Sequence, residues 1–157
     1  MEEITLVIPL AYRPKSFGRK DSFTIVCTST RTIFAKFTSQ MMKDAVNEAR
    51  AKAKEEGKGF FGQWGAQLTS TTNYHKRYME MNPDDILAQT EGNFALSYND
   101  IVKLRVKKKV SHDQDSFEVK TEMLYETAQG KYKFMIDSYS KDTVEALKRV
   151  YGAKIQT

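Results

Sequence analysis

The residue types that do chemistry are few in this chain of 157 residues, and they stand far apart. It has two histidines, His75 and His112, and one cysteine, Cys27. Neither histidine lies at metal-ligand spacing from a cysteine or a carboxylate, and Cys27 has no basic partner nearby in sequence. We interpret His75 as a residue on a helix face. The sequence therefore predicts no catalytic centre, no metal site and no cofactor, and we expect a non-catalytic protein.

A row of cations is the first candidate binding surface. Its members alternate with apolar residues and so share one face of a predicted strand; they are Lys103, Arg105, Lys107 and Lys109. Such a row can neutralise phosphates, at about 1 kcal/mol for each side chain near an anionic membrane. The other interpretation is a solvated sheet face whose charges discourage pairing between sheet edges. The sequence leaves both open.

The second candidate is a glycine-rich turn at residues 57–65, in which large aromatic residues stand beside a cation. The candidate residues are Lys58, Phe60, Phe61 and Trp64. Exposed aromatic residues near a cation fit a membrane interface, whereas an exposed aromatic patch also marks a protein interface or self-association. A third interpretation folds these rings into the core.

The elements that must position these residues begin with a hairpin. Two short runs rich in β-branched and aromatic residues, 23–27 and 32–37, flank the polar turn at residues 28–31. Alternation predicts that Phe23, Ile25 and Cys27 share one face of the first arm. In the second arm it predicts a shared face for Ile33, Ala35 and Phe37. An earlier strand spans residues 2–13, and we expect Pro9 to end it or to place it at a sheet edge.

Helical spacing replaces alternation after the hairpin. It predicts helices over 39–56 and 66–81, which would form a helical hairpin inserted between strands. Asn82-Pro83 begins a further short helix. Four alternating runs then predict strands between residues 93 and 137, and a C-terminal helix follows at 140–151, with Val144, Leu147, Val150 and Tyr151 on its apolar face.

Composition narrows the class of protein. A net charge of +5 is mildly basic and is compatible with an anionic partner or with simple solubility. No apolar run reaches the roughly 20 residues that span a bilayer. Glu2 and Glu3 precede the first apolar run, which argues against a signal peptide. The single cysteine excludes an internal disulfide, so we predict a cytoplasmic protein with a reduced thiol.

Three stretches resemble the pleckstrin-homology-like superfold, in particular its bacterial-type and GRAM-like members. They are 28–34 (TSTRTIF), 96–104 (LSYNDIVKL) and 130–134 (GKYKF) followed by the terminal helix. The resemblance covers residues 22–37 and 94–151, whereas 39–81 departs from the family pattern. It implies an α+β fold, an antiparallel curved sheet or partly open barrel capped by a C-terminal helix, here with an inserted helical hairpin.

We therefore predict one domain over 1–157, with strands in about 2–37 and 93–137, an insertion at about 39–90 and a terminal helix at about 140–151. The predicted function is binding or assembly, through self-association or a protein partner. The alternative is a peripheral domain that binds anionic lipid through the basic row and the aromatic turn. Nucleic-acid binding ranks third, because no pattern places aromatic residues in a basic groove.

Overall fold

The computed structural model describes residues 2–55 and 75–157. This part of the chain forms a mixed α+β fold with an eight-stranded sheet and three α-helices. The strands are β1 (Ile4–Pro14), β2 (Lys20–Thr28), β3 (Arg31–Lys36), β4 (Phe94–Ser97), β5 (Ile101–Asp113), β6 (Ser116–Thr127), β7 (Gly130–Ile136) and β8 (Ile155–Gln156). The helices are α1 (Ser39–Glu55), α2 (Pro83–Gln89) and α3 (Lys141–Tyr151), with short 3₁₀ helices at Ser16–Gly18, Lys76–Glu80 and Gly152–Lys154.

The sheet has the order β4-β3-β2-β1-β7-β6-β5-β8. All described neighbours are antiparallel except β5 and β8, and the sheet is not closed. It bends strongly, because Phe34 of β3 stacks on Phe134 of β7 with ring centroids 4.5 Å apart, although two strands lie between them in the sheet. The predicted α+β fold with a C-terminal helix is therefore confirmed, whereas the prediction of a wholly antiparallel sheet missed the short parallel strand β8.

The C-terminal helix α3 covers the concave face of this sheet. The Ser140 side chain accepts a hydrogen bond from the Asp142 amide and so caps the first turn. Val144, Leu147 and Tyr151 are buried in the main core, as their spacing predicted. Each such side chain stabilises the fold by about 1.5–3 kcal/mol when it leaves water.

The hairpin of β2 and β3 is buried on both faces. Phe23, Ile25 and Cys27 share the main core, as predicted. Ile33 and Ala35 lie on the opposite face with Val26, in a second cluster that also holds Tyr78 and Ile86. The segment after residue 75 therefore covers the outer face of the hairpin, which alternation alone did not indicate.

The prediction for Pro9 was wrong. β1 continues to Pro14 and lies between β2 and β7 inside the sheet. A register shift between Ile8 and Ala11 accommodates the proline, and Leu10 within it has φ 56°. A bulge tolerates proline because one residue there is left out of the hydrogen-bonded ladder.

The predicted insertion is described only in part. The helix at 39–56 is confirmed as α1. Asn82 caps α2 by accepting a hydrogen bond from the Asp84 amide at 2.9 Å, with Pro83 at the first helical position as expected. Of the helix predicted at 66–81, residues 66–74 lie outside the described residues, and Lys76–Glu80 forms a 3₁₀ helix instead.

A buried hydroxyl network ties α3 to the sheet. The Tyr151 hydroxyl lies 2.7 Å from Thr32 Oγ1, 3.0 Å from the Tyr125 hydroxyl and 3.6 Å from Cys27 Sγ. Burial raises the pKa of both tyrosines well above its usual value, so the network stays protonated at neutral pH. It joins four elements that are distant in sequence.

We predict that Tyr151→Phe lowers the free energy of unfolding by about 1–3 kcal/mol, because Thr32 and Tyr125 then lose a buried partner. Urea unfolding measures this change. Tyr132→Phe is the matched control, since the Tyr132 hydroxyl makes no hydrogen bond to the residues described here. Equal stability of the two variants would contradict the role of the network.

Candidate functional site

The predicted aromatic turn cannot be placed. Lys58, Phe60, Phe61 and Trp64 lie outside the described residues. The candidate surfaces below therefore come from residues 2–55 and 75–157 alone.

The predicted basic row lies on β5, with two glutamates of β6 beside it. Lys103 stands opposite Glu126 and Lys107 opposite Glu122 in the antiparallel register, so all share one face with Arg105 and Lys109. Glu126 Oε1 lies 3.7 Å from Arg105 Nε and 3.8 Å from Lys131 Nζ of β7. Glu122 Oε2 lies 3.8 Å from Lys109 Nζ and 3.6 Å from Lys133 Nζ. This charged face therefore carries an acidic stripe between two basic strands, which weakens its positive field.

The loop between β1 and β2, residues 15–19 with the flanking strand residues Pro14 and Lys20, is a surface that the sequence reasoning did not single out. Its 3₁₀ turn holds Phe17 fully exposed to solvent, in the left-handed region at φ 62°. Lys15, Arg19 and Lys20 surround this ring in sequence and are exposed as well. The signal was present in the composition of the loop, which reads PKSFGRK.

The base of the loop is anchored by cation–aromatic contacts. The Arg13 guanidinium carbon lies 6.0, 5.4 and 5.8 Å from the ring centroids of Phe94, Tyr132 and Phe134. Lys20 Nζ lies 4.7 Å from the Tyr12 ring centroid. Contacts of this kind contribute about 0.5–1 kcal/mol each at exposed sites and more when desolvated. The loop therefore projects from a fixed base.

One ion pair joins the loop to β2. Lys15 Nζ is 2.6 Å from Asp21 Oδ2. The hydrogen bond from Lys15 holds the pKa of Asp21 below its usual value, against a small opposing effect of burial. A polar recess of about 220 Å³ adjoins this pair and is also lined by Lys20, Lys36 and Ser39. Asp21 is thus the only acid among the cations of the loop and the recess.

A larger cleft of about 470 Å³ lies between α3 and the sheet. It is lined by Thr5, Leu6, Thr28, Ser29, Tyr98, Ala146, Arg149 and Val150. Beside it, Arg31 binds Glu2 at 2.9 Å and Asp84 at 2.6 Å. Partial burial opposes ionisation of Glu2, but hydrogen bonds from Thr28, Arg31 and Thr30 outweigh it and keep the pKa of Glu2 below its usual value. These contacts fix the N-terminal end of β1 beside the cleft.

Cysteine and histidine are the two reactive residue types discussed above, and the fold holds Cys27 and His75 in unreactive states. Burial raises the pKa of the Cys27 thiol to about 11, so it is not a thiolate at neutral pH. His75 is buried against the Phe37 ring, with its Nδ1 hydrogen-bonded to the Thr24 hydroxyl. Within the described ranges, no three residues of His, Cys, Asp or Glu stand close enough together to hold a metal ion.

The helices among residues 2–55 and 75–157 are all too short or too polar to cross a membrane. No protein-family model, curated protein or solved structure matches this chain. The function must therefore be argued from these surfaces themselves.

The buried histidine gives the fold a defined response to acid. Burial and, to a smaller extent, Arg77 lower the pKa of His75 from 6.5 to about 4. Between these pH values the unfolded chain binds a proton at His75 that the folded protein does not bind. The stability associated with His75 is therefore present above pH 6.5 and is lost as the pH falls towards 4.

We predict that the unfolding free energy of His75→Gln falls less between pH 6.5 and 4.5 than that of the wild-type protein. The full pKa shift of His75 corresponds to a loss of up to about 3 kcal/mol in the wild-type protein. Glutamine keeps an acceptor for Thr24 but does not titrate. Urea unfolding at several pH values measures the slope, and His112→Gln, on an exposed residue, is the control. Equal slopes for His75→Gln and the wild-type protein would contradict the assignment.

Proposed function

We propose that this chain is a non-catalytic binding domain that docks on anionic membrane surfaces through the β1–β2 loop. The observation that carries the proposal is Phe17, which is fully exposed at the apex of a loop with three neighbouring cations. A non-glycine residue in the left-handed region costs about 1–2 kcal/mol. Among the described residues, no contact of the Phe17 ring offsets the cost of this conformation or of exposing the ring to water.

The chemistry of the loop matches a lipid surface. An aromatic ring that enters the boundary between headgroups and acyl chains leaves water, while cations beside it meet the headgroup phosphates. Lys15, Arg19 and Lys20 contribute about 1 kcal/mol each near an anionic leaflet, less where Asp21 neutralises Lys15. Insertion of the Phe17 ring adds about 1–2 kcal/mol. The sum corresponds to reversible, peripheral binding.

The architecture supports the proposed membership of the pleckstrin-homology-like superfold. Strands β1 to β4 form one antiparallel meander and β5 to β7 another, the two are joined where β1 pairs with β7, and an amphipathic helix covers the bent sheet. The inserted helical hairpin belongs to the same proposal and begins with α1. Fold alone does not fix a function, so the loop carries the argument. A cytoplasmic location stays a prediction.

Protein binding or self-association is the second candidate function. It is favoured by two exposed apolar side chains on β5 and β6, Val110 and Phe117, which are 45% and 63% exposed. Nucleic-acid binding remains the third, because the acidic stripe of Glu122 and Glu126 interrupts the charged face.

We predict that the protein sediments with vesicles containing phosphatidylserine and that added salt weakens this binding. Phe17→Asn should reduce the affinity about tenfold without lowering the melting temperature, because asparagine tolerates the left-handed region. Arg19→Gln/Lys20→Gln should reduce the affinity by roughly 30-fold, since two cations at about 1 kcal/mol each are lost.

The matched control is Lys103→Gln/Lys107→Gln, which removes two cations from β5. Binding should be retained in this variant if the loop is the site. A wild-type protein that fails to sediment with anionic vesicles, or a control that loses binding while the loop variants keep it, would overturn the proposal.

A further inference from the structure

The hairpin of β5 and β6 extends beyond the rest of the sheet. β6 pairs with β7 only from Thr121 onwards, and β5 pairs with β8 only at Leu104 and Arg105. Among the described strands, residues 107–120 therefore form ladder pairs only with each other, and they make a two-stranded ribbon whose base is held by the hydrogen bond from Lys120 to the Tyr12 hydroxyl. Residues 107–112 and 114–118 are all exposed. A two-stranded ribbon with no layer packed on it is only marginally stable in water.

One face of this ribbon is apolar. Val110 stands opposite Val119, and His112 stands opposite Phe117. The His112 and Phe117 rings lie 5.1 Å apart. The same face begins at the buried pair of Val106 and Met123 and continues the core face of the sheet into solvent. Lys108 and Thr121 lie between these apolar pairs, with Lys108 Nζ 5.1 Å from the Tyr139 ring centroid. Exposed apolar surface of this kind marks an interaction site.

The outer edge of β5 is also open along the ribbon. No described strand pairs with it beyond Arg105. An unpaired strand edge is a template for another strand, and edge lysines usually oppose such pairing. Here the lysines lie only in the half of the ribbon nearest the sheet, at residues 107–109, whereas Asp115 and Glu118 lie near the tip.

This separation of charge along the ribbon favours an antiparallel second copy of the chain as the partner. A parallel, in-register neighbour would set lysine beside lysine. An antiparallel second copy, related by a two-fold axis near Val110, sets Lys107 opposite Asp113 at the end of the other copy's β5, where residues 113–115 read Asp-Gln-Asp. Each copy then supplies both the lysine and the acidic residues of the contact, so the same contact occurs twice. A symmetric dimer interface requires such a self-complementary surface.

We propose that two copies of this chain associate through the outer edges of β5, with their ribbons antiparallel and the two Val110 residues at the axis. The pairing joins the two sheets into one and satisfies the open edges of both ribbons. This surface is separate from the β1–β2 loop, so the dimer and the membrane proposal can fail independently.

The test is the mass of the full chain in solution, measured by sedimentation equilibrium at concentrations up to roughly 1 mM. We expect the wild-type protein to form a dimer of twice 18.0 kDa. Lys107→Glu and Asp113→Lys should each raise the dissociation constant tenfold or more, because like charges then stand opposite each other across the axis. An equimolar mixture of the two variants should dimerise again, since both contacts become complementary in the heterodimer.

Lys141→Glu, at the start of α3, is the control for the change of charge and should leave the dimer intact. The far-ultraviolet circular dichroism of each variant checks that it folds. A wild-type monomer throughout this range would overturn the proposal, as would a dimer that neither ribbon variant weakens or a mixture that stays monomeric.

Discussion

A three-residue link constrains the whole sheet. β4 and β5 follow one another in sequence, joined by residues 98–100, yet five strands lie between them in the sheet. The sheet must therefore bend until its first and seventh strands approach each other at this corner. Lys154 fixes the corner by donating a hydrogen bond to the Tyr98 carbonyl, immediately before β8 extends the sheet. The same corner therefore places β8 beside β5.

The bend determines what fills the interior. Aromatic rings from strands on the two sides meet there: Phe34 stacks on Phe134 and meets Tyr125 edge-on at 5.3 Å. Tyr151 of α3 then closes the open side with its hydroxyl bonded to Thr32 and Tyr125. Because this interior and the cluster at Tyr78 cover both faces of the central hairpin, the surfaces free to bind a partner are those that project away from it. The β1–β2 loop and the ribbon are two such projections.

The sequence predicted those elements whose signals are local. Asn82-Pro83 and Ser140 cap helices because short polar side chains bind free amides wherever a helix starts. The sequences of β5 and β6 alternate near the core because only one face of these strands is buried there. Pro9 misled the prediction, since a bulge depends on the neighbouring strand and cannot be recognised from one strand alone. The basic row of β5 was recognised, but its glutamates were not, because they belong to β6 and only the register places Glu122 opposite Lys107.

Phe17 was missed for a related reason. A hydrophobic residue in a loop has no periodicity, and only the fold reveals whether its ring is covered. Burial on both faces of the hairpin was missed because the residues that cover it, Tyr78 and Ile86, come about 50 positions later in the chain. Long-range packing and the exposure of single side chains could therefore not be predicted from the sequence. The type of most elements and the helix caps could be predicted.

The two proposed contacts would reinforce one another. One loop with a single inserted ring and a few cations gives weak, reversible attachment, and stable attachment to a membrane takes more than one such signal. A dimer carries two loops, so once the first loop is bound the second binds at a high effective concentration, provided that the geometry allows both to reach the surface. A two-fold axis normal to the membrane meets that condition, because it turns both loops towards the same side. Linkage then requires that an anionic surface which engages both loops of the dimer also favours dimerisation.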